Sequence, residues 1–216
     1  MNRLKHILFA TVFLLEIQGV VAQKDIFIHP EFELLAKSHQ TLAILPFFVD
    51  LELKNEPSEF LRRQFNEIEG LAVQQALSHY FENKTNNKNF KVRFQPLSLT
   101  QKKLQMAGLD YRGLTQKTSQ ELAEILEVDG IISGTLALSV RLSDGIDKDF
   151  NWLDLWILSP EFGRMSIKIS DRNTGKLLWR YEKAIDRHVG KNTEELIEKL
   201  MKQAARNFPY LKSEID

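Results

Sequence analysis

The chain has 216 residues, with 29 basic and 29 acidic side chains and no cysteine. This balance leaves no basic field of the kind that nucleic-acid-binding proteins use, and no acidic excess of the kind that indicates disorder. The length is sufficient for one domain with a sizeable core, and we find neither internal repeats nor a low-complexity segment.

Residues 1–22 have the features of a secretory signal: a positively charged start, a short apolar stretch, and small residues before Gln23. We expect cleavage after Ala22. Glu16 and Gln18 interrupt the apolar stretch, which makes the alternative of an uncleaved membrane anchor less favourable. Because an exported protein without disulfides suits a bacterial envelope, we predict a periplasmic or secreted protein with no transmembrane span in the mature chain. The absence of cysteine also predicts that it is not a lipoprotein.

Residues 23–40 are predicted to be a lead-in that contains one short packed segment after Pro30. An apolar run over Thr41–Val49 predicts a strand covered on both faces, and Pro46 within it should stop or shift the strand pairing. We assign residues 41–210 to one α/β domain and residues 211–216 to a tail.

A long helix is predicted over Ser58–Asn83, with Gly70 either permitting close packing or marking a bend. Its expected apolar stripe comprises Leu61, Phe65, Ile68, Ala72, Val73, Ala76, Leu77 and Tyr80. A strand over Phe90–Gln95 and a short helix over Leu99–Ala107 follow.

The best-specified stretch runs from Thr118 to Leu142. Thr118 and Glu121 have the spacing of a capping box, and an amphipathic helix, a tight turn at Asp129-Gly130 and an alternating strand follow it. On the strand, one face is expected to carry Ile132, Gly134, Leu136, Leu138, Val140 and Leu142.

Two more alternating strands, Arg164–Asp171 and Lys176–Glu182, are separated by turn residues and predict a hairpin. A final helix is expected to begin at Asn192 and to end before Pro209. The order β-α-β-α-α-β-β-β-α predicts an α/β fold: a single domain with a mixed sheet of four to five strands and flanking helices.

Three motifs in this order resemble the envelope superfamily that contains CsgG, the LpoB-type activators and the N-terminal domain of TolB. They are Leu42-Ala-Ile-Leu-Pro-Phe47, the helix–turn–strand Glu121–Gly134, and the hairpin Asp171–Leu178. Further segments resemble secreted proteins of Bacteroidota-type bacteria: Gly70–Gln74, Phe94-Gln95, Leu177–Trp179 and Phe208–Tyr210. The resemblance implies an envelope binding or assembly module, and the CsgG part of it implies a possible homo-oligomeric ring. Glu127 stands where the superfamily usually has glycine, which predicts a different helix end.

The residues show no pattern for catalysis, a metal or a cofactor. Thiols are absent, no G-x-S-x-G motif occurs, and His29, His39, His79 and His188 lack metal-ligand spacing. We expect these histidines to be surface residues or partly packed. The carboxylates of Asp144–Asp149 lack the fuller oxygen set of a calcium loop, so a solvated loop is favoured there.

The stretch from Phe150 to Phe162 is unusually rich in aromatic residues for a connection between strands. One interpretation is a connection folded back over the sheet edge or the core. The other is an exposed apolar anchor for a protein partner or a membrane interface. The candidate partner-binding residues are Phe150, Trp152, Leu155, Trp156 and Phe162. The segment is too short for a membrane-spanning hairpin.

We therefore predict a non-enzymatic exported protein that binds an envelope protein through this segment or through a free sheet edge. The alternatives are a ring-forming accessory component of a secretion complex and an envelope hydrolase with an unrecognised site.

Overall fold

The computed structural model describes residues 24–52, 57–85, 90–138, 163–185, 198–199 and 202–211. The strands are β1 Lys24–Ile28, β2 Thr41–Ile44, β3 Phe48–Leu51, β4 Arg93–Phe94, β5 Gly130–Leu138, β6 Gly163–Asp171 and β7 Leu177–Ile185. The helices are α1 Phe32–Leu35, α2 Glu59–Thr85, α3 Leu97–Met106 and α4 Ser119–Leu126, with 3-10 turns at Ala36–Ser38 and Gly113–Gln116.

The seven strands of the described residues belong to one mixed sheet in the order β1-β7-β6-β5-β2-β4, with β3 also paired to β5. Strands β2 and β3 run parallel to β5, while β6, β7 and β1 continue the sheet in antiparallel fashion. The predicted α/β class with flanking helices is confirmed. The predicted count of four to five strands was too low, because β1 was missed and one predicted strand is two.

The break between β2 and β3 lies at Pro46, as predicted. Proline has no N–H to donate to a ladder, and the chain here passes from pairing with the start of β5 to pairing with its end. The hydroxyl of Tyr111 bridges the break: it donates to the carbonyl of Phe47 at 2.7 Å and accepts from the N–H of Val49 at 3.2 Å.

The predicted capping box of α4 is confirmed. The Thr118 hydroxyl accepts from the N–H of Glu121, whose carboxylate accepts from the N–H of Thr118 at 2.7 Å. The helix ends at Glu127 in the left-handed conformation (φ 55°), which glycine adopts more easily, and Lys103 binds the Glu127 carboxylate at 2.7 Å. The helix end therefore keeps the left-handed geometry without a glycine.

A hydrophobic core lies on each face of the sheet. The larger core packs α2 and the C-terminal residues 204–211 against one face, through side chains that include Leu77, Phe81, Trp179 and Phe208. The smaller core packs α3 and α4 against the other face of β2 and β5. Neighbouring strand residues point to opposite faces, so both cores draw on the same two strands.

Helix α2 buries only part of the apolar stripe that its sequence predicts. Val73, Leu77 and Phe81 are buried, whereas Leu61 and Ile68 of the predicted stripe are exposed. The helix backbone comes closest to the sheet at Gly70, where it meets Phe47. The expectation that Gly70 permits close packing is confirmed, since an added Cβ would lie 2.2 Å from the Phe47 carbonyl oxygen.

The hairpin of β6 and β7 is confirmed, and its turn is closed by the N–H of Gly175 bonding to the carbonyl of Asp171. Within the described residues, no helix combines the length and apolar character that crossing a bilayer requires. The predicted signal (1–22), the carboxylate loop (144–149) and the start of the last helix lie outside the described residues. The boundaries 41–210 remain a prediction, and β1 within the lead-in belongs to the same sheet.

Candidate functional site

A buried hydrogen-bonded network centred on His39 joins three parts of the protein that are distant in the sequence. Its Nδ1 lies 2.6 Å from the Tyr210 hydroxyl, and its Nε2 lies 2.9 Å from a carboxylate oxygen of Asp171. His39 lies two residues before the start of β2, Asp171 ends β6, and Tyr210 belongs to the C-terminal segment. The prediction of a surface or partly packed histidine was wrong for His39, which is 6% exposed.

The electrostatics of this network favour a neutral Tyr210 hydroxyl and an ionised Asp171 carboxylate. Burial raises the pKa of the Tyr210 hydroxyl, and the charge of Asp171 adds to this effect. Burial also acts to raise the pKa of Asp171, but hydrogen bonds from Thr174 and His39 outweigh it and hold that pKa below its ordinary value. A neutral imidazole with its proton on Nε2 satisfies all three groups, because it donates to Asp171 and accepts from Tyr210.

This network superficially resembles a catalytic relay, but its chemistry is that of residues that stabilise the fold. A nucleophilic hydroxyl needs a lowered pKa or a base with free capacity, whereas Tyr210 is 3% exposed and its pKa is raised. Both ring nitrogens of His39 are already engaged. The cleft beside it, of about 150 Å³, is polar and is flanked by Glu33, Lys37 and Lys91.

A larger, apolar groove lies between α2, α3 and the loop that follows α3. It has a volume of about 350 Å³. Its lining residues are Pro46, Glu67, Leu71, Gln101, Leu104, Gln105, Gly108, Leu109, Asp110, Tyr111 and Leu114. This volume lies near the lower end of the range of about 300–1,000 Å³ that is typical of pockets for small ligands and side chains.

Exposed apolar side chains on α2 extend from this groove toward the start of the helix. Phe60 is 69% exposed, Leu61 42%, Ile68 47% and Leu71 36%. At 100° per residue these four positions share an arc of about 100°, so they form one face. We call these four residues the α2 stripe; Leu71 belongs to both the stripe and the groove.

The wall of the groove opposite α2 is held in place by backbone contacts. Tyr111 is tied to Phe47 and Val49 through its hydroxyl, and the Asp110 carboxylate accepts from the N–H of Gly113 at 2.7 Å. Burial raises the pKa of Tyr111, and the negative charge of Glu67 adds to this effect. Hydrogen bonds thus position this wall of the groove, which contains a neutral tyrosine.

The residues predicted from sequence to bind a partner, Phe150 to Phe162, lie outside the described residues, and their role stays a prediction. Sequence reasoning missed the groove, since Leu61 and Ile68 have core periodicity and the loop over 108–114 has no motif. The available signal was an excess of apolar residues around α2, more than one buried stripe needs. Among the described residues, no group of three or more histidine or acidic side chains could hold a metal ion.

Fold and site together define a single-sheet α/β protein with helices on both faces, an apolar groove and an apolar helix face beside it. No family model and no curated protein matches the sequence. Solved structures do resemble the chain. The C-terminal domain of LpoB from Salmonella enterica is 10% identical over 73% of this chain and 94% of its own, with a TM-score of 0.41.

Two further structures are comparably distant. Lipoprotein GNA1162 from Neisseria meningitidis is 12% identical over 78% of this chain and 98% of its own, with a TM-score of 0.40. The PelC dodecamer from Paraburkholderia phytofirmans is 9% identical over 83% and 97%, with a TM-score of 0.33. An LpoB domain is thus among the similar structures, as the motifs predicted. The resemblance to CsgG, TolB and Bacteroidota proteins stays a prediction, and likenesses this distant assign no family and no partner.

Proposed function

We propose that this chain is a non-enzymatic, exported protein that binds another protein of the bacterial envelope, and that the α2 stripe and the groove form its binding surface. The observation that carries the proposal is the exposure of four large apolar side chains on one helix face beside an apolar groove. Contiguous apolar surface of this kind on a soluble domain commonly marks a protein interface.

The helix itself supports a binding role for this face. The first half of α2 carries the stripe, while the buried contacts of the helix begin near Gly70 and continue to Phe81. Folding therefore leaves much of the stripe exposed, and exposing Phe60 and Ile68 to water is unfavourable by about 25 cal/mol per Å² of apolar surface. Burial by a partner would recover this free energy.

The alternative of an envelope hydrolase has weaker support. The buried polar cluster nearest to a catalytic arrangement, at His39, has its hydrogen-bonding capacity engaged internally. A hydrolase site needs a nucleophile or an activated water beside a base with free capacity. His39, Asp171 and Tyr210 offer neither, which leaves protein binding as the better-supported function.

The test is capture of the partner from envelope fractions of the native cell, with the full chain carrying a C-terminal tag. We expect the double variant Phe60→Ser with Leu71→Ser to lose the partner that the wild type retains. The control is Leu34→Ser, which removes from α1, away from the groove, a leucine that is as exposed (70%) as Phe60 (69%).

Urea unfolding of all variants shows whether a loss of binding comes from the removed contacts or from unfolding of the variant. Substitutions at exposed positions should change the free energy of unfolding by about 0.5 kcal/mol or less each. Retention of the same proteins by wild type, double variant and control would refute the stripe and groove as the binding surface.

The aromatic segment with Phe150, Trp152, Leu155, Trp156 and Phe162 remains a second proposed contact with the partner. A ring of identical chains is the second candidate function, based on the sequence resemblance to CsgG. Sedimentation of the purified chain tests it, and a monomer at all concentrations would count against a ring.

A further inference from the structure

Two carboxylates and no basic side chain are found among the described residues that line the groove. Glu67 lies one helical turn before Leu71 on α2, and Asp110 lies on the opposite wall. The Asp110 carboxylate is fixed by the N–H of Gly113, and the charge of Glu67 acts on Tyr111. An apolar floor therefore lies between two negative charges.

From this pairing we propose, on the basis of the binding function above, that the groove takes a short apolar segment of a partner protein with a lysine or arginine beside its apolar anchor. The volume of about 350 Å³ suits one or two apolar side chains and is too small for a folded element. The carboxylates on the two walls would each accept a hydrogen bond from a cation next to that anchor.

Charge also argues against the chain's own aromatic segment as the occupant. This segment, Phe150 to Phe162, contains two acidic and no basic side chains, which gives a net charge of −2. Placing this segment between Glu67 and Asp110 would bring like charges together, and like-charge juxtaposition selects against a partner. A basic segment from another protein would instead be attracted by the two carboxylates.

The acidic walls would act mainly on selectivity. Partly exposed ion pairs at the rim of an interface contribute modestly to affinity, but they discriminate strongly between basic and acidic partners and are weakened by salt. The apolar floor around Leu71 and Leu104 would supply the binding that both kinds of peptide share.

The experiment measures fluorescence anisotropy of two labelled peptides with the full chain. The probes are Ac-Gly-Arg-Leu-Trp-Arg-Gly-NH2 and the same peptide with glutamate in place of both arginines. We expect the arginine peptide to bind about threefold to tenfold more tightly, as two partly exposed ion pairs would give, and the preference to shrink with added NaCl.

Isosteric variants test whether Glu67 and Asp110 cause the preference for the arginine peptide. Glu67→Gln with Asp110→Asn keeps the shape of the walls and an acceptor for Gly113, and it should abolish the preference for the arginine peptide. Glu33→Gln, an exposed carboxylate outside the groove, should leave the preference intact. Leu71→Ser should weaken the binding of both peptides.

The outcomes separate this proposal from the one on which it rests. Absent binding, or binding without charge preference, overturns the basic-segment proposal while the capture experiment with Phe60→Ser and Leu71→Ser can still succeed. A preference unchanged by Glu67→Gln with Asp110→Asn also overturns it. If capture fails as well, the binding function itself is refuted.

Discussion

The Nε2 atom of His39 lies 2.9 Å from the carboxylate of Asp171, and the two side chains are 1% and 2% exposed although 132 residues separate them in the chain. The pair connects the segment just before β2 with the end of β6, and these two strands lie on opposite sides of β5 in the sheet. Tyr210 attaches the C-terminal segment to the same point through the other ring nitrogen. Buried polar groups of this kind stabilise a fold only while each has its partner.

Removal of the Tyr210 hydroxyl should therefore destabilise the protein. Tyr210→Phe keeps the ring contacts with Phe32 and Phe208 but leaves the Nδ1 of His39 buried without a partner. We expect the free energy of unfolding to fall by about 1–3 kcal/mol. Urea unfolding measures this change. The double variant with His39→Ala should lose less than the sum of the two single variants, and strict additivity would show that the hydroxyl and the ring do not interact.

The stability of the protein should also depend on the ionisation of Asp171. Hydrogen bonds from Thr174 and His39 hold the pKa of this carboxyl below its ordinary value of 3.8, despite burial acting in the opposite direction. A lowered folded-state pKa gives stability that is complete above pH 3.8 and is lost as the pH falls through the folded-state pKa.

The measurement compares urea unfolding of wild type and Asp171→Asn from pH 7 down to pH 3. Because asparagine does not titrate, the stability advantage of the wild type should be largest at neutral pH and should shrink in the acid range. An advantage that stays constant over the whole range would contradict the role of the ionised carboxylate.

Local rules account for the elements that the sequence predicts well. The capping box at Thr118 and Glu121, the alternation of β5 and the hairpin turn at Asp171–Gly175 each depend on residues within a few positions of one another. Such signals are complete within a short window, so the sequence alone suffices to read them.

The remaining features depend on contacts that a sequence window does not contain. Strand β1 exists because it pairs with β7, and Asp25 meets Arg180 across 155 residues. Helix α2 has apolar residues on two faces, and the buried one is the face with Leu77, which brings Gly70 against Phe47. The groove follows from that choice, since it leaves Leu71 facing the loop after α3.

The contact between α2 and the sheet predicts that Gly70→Ala is destabilising. Alanine ordinarily favours a helix interior over glycine by about 1 kcal/mol. Here its Cβ would lie 2.2 Å from the backbone oxygen of Phe47 and 2.9 Å from the Tyr111 ring, so the helix must move away from the sheet. We expect a net loss of about 1–3 kcal/mol in urea unfolding.

The matched control on the same helix is Gln75→Ala. Gln75 is exposed, so its replacement should change the free energy of unfolding by about 0.5 kcal/mol or less. A stabilising Gly70→Ala would mean that α2 does not approach Phe47 this closely.

The proposed contact through the aromatic segment gives a further prediction. Trp152→Ala with Trp156→Ala should leave the urea midpoint unchanged and should lower recovery of the partner from envelope fractions. Unfolding of this double variant would instead indicate that the two tryptophans belong to the core, and the segment would then be lost as a binding site.

The capping box makes a prediction about a single carboxyl group. Hydrogen bonds from the Thr118 N–H, from Lys117 and from the Thr118 hydroxyl lower the pKa of Glu121 to about 2. NMR titration of the Glu121 side chain should find this low value in the wild type. Lys117→Met removes one of the three donors and should raise the pKa, while Lys176→Met, which removes a lysine paired with Glu31 elsewhere, should leave it unchanged.

Because the folded-state pKa is lowered, the contribution of Glu121 to α4 is present above pH 4.5 and is lost as the pH falls toward 2. An ordinary pKa for Glu121 in the wild type would show that its carboxylate does not cap the helix in solution.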